Sequence, residues 1–348
     1  MTTSGRPAAP AGRAALVDTL LDGQEPLRDP AVRDLAWLLF SADLLRPQLP
    51  VGALAQPFDT PSELHATVAW LRTLDATPEP LHHDLAATRI TRLGRYAERL
   101  LGFFLQHGPA ARLIAAGVPL RRAGITLGEC DFLLRTGQHA HLHWELAVKC
   151  YLHAGATGRA DPTSEPARAR LADYVGPNLK DRFDLKLSHL LDHQLRLSAH
   201  EAFGSTGYAG VWTPQMFVKG WLFYRHGGGA DGTPVDPPEL DPAHGRGWWV
   251  TRRDWPDFAA AQADRWRVLS RLEWLAPRRE RLAARAGSNE ATSQLVDARA
   301  LAAQTSNQPG PVMVAAFIET AAGELLEHSR GFIVPDDWPE HARRYAQQ

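Results

Sequence analysis

Asp131, Glu145 and Lys149 are the residue types that a divalent-cation site for phosphate-ester hydrolysis uses, on two strand-like runs joined by a turn. Residues Gly128–Thr136 and Leu142–Leu152 each alternate strictly between apolar and polar, with Thr136, Gly137 and Gln138 between them. Side chains alternate across a strand. In the second run Leu142, Trp144, Leu146, Val148, Cys150 and Leu152 therefore face one way, and His143, Glu145, Ala147, Lys149 and Tyr151 the other. In the first, Cys130, Phe132 and Leu134 form the apolar face and Glu129 and Asp131 the opposite one. Paired as a hairpin, the runs bring three carboxylates and a lysine to one sheet face. Carboxylate oxygens suit a hard cation such as Mg²⁺ or Mn²⁺, and an adjacent amine can position a water and offset developing charge. The same residues also describe a salt-bridged polar face without turnover.

Three other groups carry chemistry by residue type. His139, His141 and His143 alternate in HAHLH as zinc ligands on a strand could, but the first two flank the turn, where a polar loop is the plainer reading. A helix near Asp181–Leu195 carries Asp181, Asp184, Lys186, His189, Asp192 and His193 on its polar sides. Its two histidines are one turn apart, yet no glutamate follows the first, so the zinc-protease pattern is absent and a solvated amphipathic helix explains most of them. Lys186 and Gln194 are the exceptions, since this helix should pack beside the hairpin. In RGWWVTRRDW, Arg246, Arg252 and Arg253 alternate with Trp248, Trp249 and Trp255. Such residues can stack on bases and pair phosphates, although buried anchors are the more frequent role of tryptophan. There is no nucleophile elbow, P-loop or dinucleotide fingerprint, which argues against those hydrolases, NTPases and Rossmann oxidoreductases.

The elements that must position these residues follow from periodicity. Hydrophobic residues are 44% and charged residues 22%, a balance that predicts a soluble globular core. No apolar run approaches the roughly 18 residues of a membrane span, and the N-terminus lacks a secretion-signal pattern. Two cysteines rule out a disulfide framework, so a cytoplasmic protein with reduced thiols is expected. A net charge of −1 leaves any nucleic-acid contact to a local patch. Helical spacing runs from Ala14 to about Leu74, with Asp29 capping a helix led by Pro30. A longer helix is predicted over Asp84–Gln106, with Glu98 on its flank, then a short strand over Leu113–Arg121, the hairpin, the Asp181–Leu195 helix and an aromatic strand over Met216–Arg225. Beyond a Gly/Pro-rich loop, Pro256–Ala276, Pro277–Ala286 and Glu319–Ser329 read as helical and Pro311–Ile318 as a strand.

The order helix, strand, strand, strand, helix, strand, with GECDF (128–132) and HWELAVK (143–149), resembles the core of the PD-(D/E)XK nuclease superfamily. That resemblance implies a metal site in which Asp131 and Glu145 are the strand carboxylates and Glu98, in LGRYAERL, is the helical one. The superfamily's lysine belongs two residues after Glu145, where this chain has Ala147. Lys149 lies about 6.6–6.8 Å further along the same strand face. Its amine reaches back, or Lys186 or Lys219 substitutes, or activity is lost. Across the chain, RLGRYAERL, TLGECDFLL, HWELAVKCYL, GPNLKDRFDLKLSHLLDHQL, VKGWLFY, RGWW, RLEWLAP and RGFIVPDDWP are similar to the bacterial domain-of-unknown-function family 1853.

Together these readings predict an α/β protein: a restriction-endonuclease-like mixed sheet flanked by helices, with helical N-terminal and C-terminal additions. Residues 1–12 are expected to be disordered, 13–80 a helical region, 84–225 the nuclease-like core, 226–247 a loop, and 248–348 a mostly helical region packed on the core. The expected activity is Mg²⁺- or Mn²⁺-dependent cleavage of DNA or RNA. Asp131, Glu145, Glu98 and Glu129 are the expected metal carboxylates, and Lys149 or Lys186 the cation beside the attacking water. The rival is a nuclease-like fold without turnover that binds nucleic acid or protein. A small-molecule enzyme using the acid–lysine pair is a third reading.

Overall fold

Proline-led helices open the chain, because a proline at the first helical position gives up an N–H that has no partner there anyway. Helix α1 spans Pro10–Asp22 and α2 spans Pro30–Phe40. The Asp29 carboxylate accepts the N–H groups of Ala31 (3.0 Å) and Val32 (3.1 Å), as its place before Pro30 predicts. Its second oxygen meets His82 Nε2 at 2.8 Å. Asp29→Ala is therefore expected to cost about 1 kcal/mol, the usual effect of losing an N-cap. Urea unfolding checks this, and an unchanged midpoint would remove the cap from the account of stability. Helix α3, Pro61–Ala76, begins with a reciprocal cap between Thr60 and Glu63.

The computed structural model describes residues 10–137, 139–155, 168–208, 210–227, 235–262, 265–281 and 295–348. Residues 1–9 of the segment expected to be disordered, Gln138 of the turn, most of the Gly155–Pro166 loop and 282–286 of an expected helix lie outside them. The chain divides into two units. The first comprises Met1–Val148 and Leu187–Lys219, the second Lys149–Lys186 and Gly220–Gln348.

In the first unit the helix expected over Asp84–Gln106 is two helices, α4 (Glu79–Ala86) and α5 (Leu93–His107). β-branched Thr88, Ile90 and Thr91 fall in the gap, where they disfavour a continuous helix. Tyr96, Ala97, Leu100, Leu101, Phe103 and Phe104 of α5 are buried. Phe104 meets Phe58 edge-on at 6.3 Å, and Phe58 stacks on Phe40 at 5.1 Å. Strands β1 (Ala111–Arg122) and β2 (Ile125–Thr136) pair antiparallel, and β2 pairs antiparallel with β3 (His141–His153) in the register Phe132↔Trp144. The predicted hairpin is thus present. Its other face packs on two 3-10 turns, Gln194–Ala199 and Glu201–Thr206, through Cys130, Leu133, Leu197, Phe203 and Trp212.

The second unit departs most from expectation. It holds β4 (Tyr174–Val175), the end of β3, the first residues of α6 (Phe183–Asp192) and the end of β5 (Thr213–Arg225). Gly220 in β5 adopts φ +147°, and a Cβ there would stand 1.7 Å from the Lys149 carbonyl oxygen, so only glycine fits. The region after 247, expected to be mostly helical, is instead rich in strands. These are β6 (Gly245–Thr251), β7 (Arg265–Val268), β8 (Arg279–Arg281), β9 (Val312–Glu319) and β10 (Glu324–Val334), with only α7 (Trp255–Ala260), α8 (Ala298–Ser306) and α9 (Trp338–Ala346) between and after them. The helices expected at Pro256–Ala276, Pro277–Ala286 and Glu319–Ser329 are corrected to α7 with β7, β8 and β10. β10 runs parallel to β6 and antiparallel to β9. The part of β10 expected to be helical, Glu324–Ser329, pairs with β9 and over Glu324–Leu326 with β8, and its residues ELLEHS do not alternate between apolar and polar as a one-sided strand does. The order of the mixed ten-stranded sheet is β1-β2-β3-β5-β6-β10-β9-β7, with β4 on β3 and β8 on β10.

Candidate functional site

The hairpin breaks its own alternation at Asp131. Cys130 and Leu133, three residues apart, pack into the same cluster, although strict alternation puts them on opposite faces. The β2–β3 ladder stops at Phe132↔Trp144, and Gly117 in the facing strand has φ +61°. Beyond that point Asp131 takes over the pairing with its side chain. Its Oδ2 accepts the Leu146 N–H at 2.9 Å, and the Asp131 N–H is donated to Glu145 Oε1 at 3.3 Å.

As a result the three carboxylates do not share one face. Glu129 and Asp131 open with Glu98 onto a cleft of about 650 Å³ between α5 and the β1–β2 pair, and Glu145 does not line it. Arg89, Arg92, Arg95 and Arg99 line the same cleft. Arg95 donates to Glu98 at 2.6 Å and lies 3.8 Å from Glu129, and Arg99 pairs with Asp84 at 2.7 Å. Burial pushes the Glu98 carboxyl above its ordinary range, with Glu129 adding to the shift, despite the Arg95 hydrogen bond.

Glu145 lies fully buried on the side of the 3-10 turns. Its Oε1 meets His143 Nε2 at 2.7 Å, and its Oε2 accepts from Gln194 Nε2 at 2.8 Å. His143 Nδ1 meets Ser198 Oγ at 3.0 Å. Burial pulls the His143 imidazole down to about 4, so it is neutral at pH 7. Burial, followed by the charges of Glu145, Asp131 and Glu129, pushes the Cys130 thiol up to about 12. Cys130, His143 and Glu145 offer ligand atoms within 4.8 Å of one another, and this group could hold a metal ion. The sequence reading missed the cysteine because alternation assigned it to the other face.

The lysines lie elsewhere in the chain's bonding. Lys149, in the second unit, donates to Asp181 Oδ2, which also accepts from the Tyr151 hydroxyl at 3.1 Å. Lys186 is on α6 in the same unit. Lys219 is buried in the first unit and donates to the Ser41 carbonyl at 2.5 Å. The histidine groupings do not assemble as ligand sets. His139 has φ +67° and is exposed, His141 stacks on Trp212 at 4.8 Å, and His193 Nε2 meets the Leu127 carbonyl at 3.0 Å. The tryptophans of RGWW and Trp255 serve the core. Trp249 donates to the His153 carbonyl at 3.0 Å and Trp255 to the Ala298 carbonyl at 3.0 Å, while Trp248 packs on Phe258 at 4.4 Å.

A second titratable cluster belongs to the second unit. Asp236 accepts from Tyr174 (2.7 Å), Tyr224 (2.8 Å) and Arg246 (2.8 Å), and the Tyr224 hydroxyl also meets His244 Nε2 at 2.9 Å. Burial raises the Asp236 carboxyl, but these hydrogen bonds outweigh it and hold it below the usual carboxylate range. Burial lowers the His244 imidazole from its ordinary 6.5. Both shifts make the folded state bind protons less readily than the unfolded chain. His244 therefore contributes stability above pH 6.5 that is lost as pH falls toward its folded value, and Asp236 contributes stability above about pH 4 that is lost on further acidification. The urea midpoint should fall between pH 7 and 5, and His244→Gln should flatten that fall. An unchanged slope in the variant would exclude His244 as its source.

Among the described residues no helix is long and apolar enough to cross a membrane. No curated protein and no solved structure matches the chain. The family model described as Domain of unknown function (DUF1853) matches residues 33–334. That span includes both carboxylate strands, the buried Cys–His–Glu group and β10, and the chain belongs to this family.

Proposed function

We propose that the protein is a divalent-metal-dependent phosphodiester hydrolase acting on nucleic acid, with a core of restriction-endonuclease type. The observation that carries this reading is the junction of Asp131 and Glu145 where the β2–β3 ladder opens, the Asp131 N–H being donated to the Glu145 carboxylate. The cleft offers oxygen donors for a hard cation, although among the described residues no three carboxylates come within shared-ligand distance of one another. Glu98, Glu129 and Asp131 supply oxygen donors to one cleft, where Arg95 already pairs with Glu98 and lies 3.8 Å from Glu129. Asp131, with Glu98 and Glu129, would hold the ion from this cleft, and Glu145, buried on the side of the 3-10 turns, would position Asp131 through its N–H. A bound Mg²⁺ or Mn²⁺ would polarise a phosphoryl oxygen and lower the pKa of a bound water.

The chain's own groups do the rest. Arg89 and Arg92, exposed along the cleft, can pair with phosphate oxygens in fork geometry and seat a backbone against the carboxylates. Gln194 and His143 fix the Glu145 carboxylate so that its orientation is set before substrate arrives. Ala147 stands where the superfamily pattern has its lysine, and Lys149, bonded to Asp181, and Lys186 belong to the second unit. A second reading, a nuclease-like fold that binds nucleic acid or protein without cutting, draws on Ala147 in place of the pattern's lysine and on the Lys149–Asp181 pair. The test is cleavage of mixed DNA and RNA with Mg²⁺ or Mn²⁺ by the wild type and by Asp131→Ala and Glu145→Ala chains. Binding of substrate by all three with no cut product would favour the second reading.

A further inference from the structure

We infer that Cys130, His143 and Glu145 form a binding site for a transition-metal ion of zinc-like chemistry, with thiolate, imidazole and carboxylate as ligands. All three side chains are fully buried, and among the described residues this is the only group of three such donors that comes together. With its atoms at most 4.8 Å apart, an ion seated among them is within about 2.8 Å of each, and closure by a fraction of an ångström reaches the roughly 2.0–2.3 Å of zinc bonds. The donor set selects the metal class. A sulfur and a nitrogen favour zinc and its neighbours, whereas Mg²⁺ takes oxygen.

The groups behind the ligands are already in place. A metal-bound imidazole usually donates its other ring N–H to a fixed acceptor, and a bound carboxylate is itself held by a hydrogen bond. Ser198 Oγ stands 3.0 Å from His143 Nδ1 and Gln194 holds Glu145 Oε2 at 2.8 Å, so Nε2 and Oε1, which meet each other at 2.7 Å, are the atoms that would take the ion. Without an ion, Nε2–H is donated to Glu145. Loading shifts that proton to Nδ1, where Ser198 Oγ accepts it, and releases the thiol proton of Cys130 to solvent. Cys150, the other buried cysteine, belongs to no such group among the described residues.

The inference does not rest on the hydrolase reading, because an ion here would pin β2 to β3 whether or not a phosphodiester is cut. The two share Glu145, so the test turns on Cys130, which the hydrolase reading leaves unused. The full chain, stripped with chelator, is reloaded with Zn²⁺ for elemental analysis or with Co²⁺ for absorption. One ion per chain and a thiolate-to-cobalt charge-transfer band are expected. Cys130→Ser should abolish the band, Cys150→Ser should keep it, and Ser198→Ala should weaken binding about 10–100-fold. Absence of a retained ion, or a band that survives in Cys130→Ser, overturns the site. If Cys130→Ser fails to fold, the Ser198→Ala affinity decides, and an affinity equal to wild type overturns it equally.

Discussion

Arg330→Ala is expected to destabilise the second unit by about 3–5 kcal/mol, the range for stripping one partner from a buried ion pair. The guanidinium is 2% exposed, in the middle of β10. Its Nη1 donates to the carbonyls of Trp274 (3.0 Å) and Leu275 (3.0 Å), and its Nη2 to the Ala276 carbonyl (2.8 Å) and Glu327 Oε2 (2.8 Å). Its Nε donates to Glu327 Oε1 at 2.5 Å, and the group lies over the Trp221 ring at 4.7 Å. Alanine would leave the Glu327 carboxylate, itself 2% exposed, without this partner and three carbonyls short of a donor. Arg330→Lys keeps a charge but cannot satisfy this fork, so it should recover only part of the loss. Arg330→Met with Glu327→Leu removes both charges and should be milder than Arg330→Ala alone. Urea unfolding followed by tryptophan fluorescence reads all three. A loss near 1 kcal/mol for Arg330→Ala would mean that water reaches the pair.

How much of this could be read in the chain depends on which force set each element. Asp29–Pro30 and the hairpin were legible because a cap and a one-sided strand leave local marks, an acceptor before proline and a period of two. β10 was not legible. Its pairing with β9 and β8 decides its state, and Glu324–Ser329 alone has the composition of a helix. The position of Cys130 was lost for a different reason. The face it occupies depends on the break near Gly117 and Asp131, and a break in alternation is invisible to a rule that assumes alternation. Gln194 was singled out from the sequence only as a neighbour of the hairpin, and it holds Glu145. The Lys149–Asp181 pair joins residues 32 apart and left no local signal at all.

The second large effect concerns Asp131→Asn and Glu145→Gln, each expected to lower metal-dependent cleavage by roughly 10²-fold or more, the scale for losing one preorganised electrostatic group. Amides are the informative substitutions. In Asp131→Asn the new amide oxygen can still accept the Leu146 N–H. In Glu145→Gln it can still accept from Gln194 while the amide NH₂ takes the place of the Oε1 acceptor of the Asp131 N–H, so Asp131→Asn removes the charge with the smaller disturbance. A fall in cleavage with unchanged circular dichroism therefore reports charge, whereas alanine at the buried Glu145 would also leave Gln194 and His143 without their partner and confound the result. Substrate affinity should change less than the rate, since the arginines of the cleft are untouched. Arg92→Ala should do the opposite, weakening binding and flattening its salt dependence with little effect on the rate of bound substrate. Lys149→Ala and Lys186→Ala test the two amines in the same assay, and a loss of rate in neither would leave the reaction without a lysine. Cleavage by both amide variants at the wild-type rate would end the assignment of the reaction to Asp131 and Glu145. Wild-type binding without cleavage would leave the fold as a nucleic-acid module whose carboxylates hold the strands together.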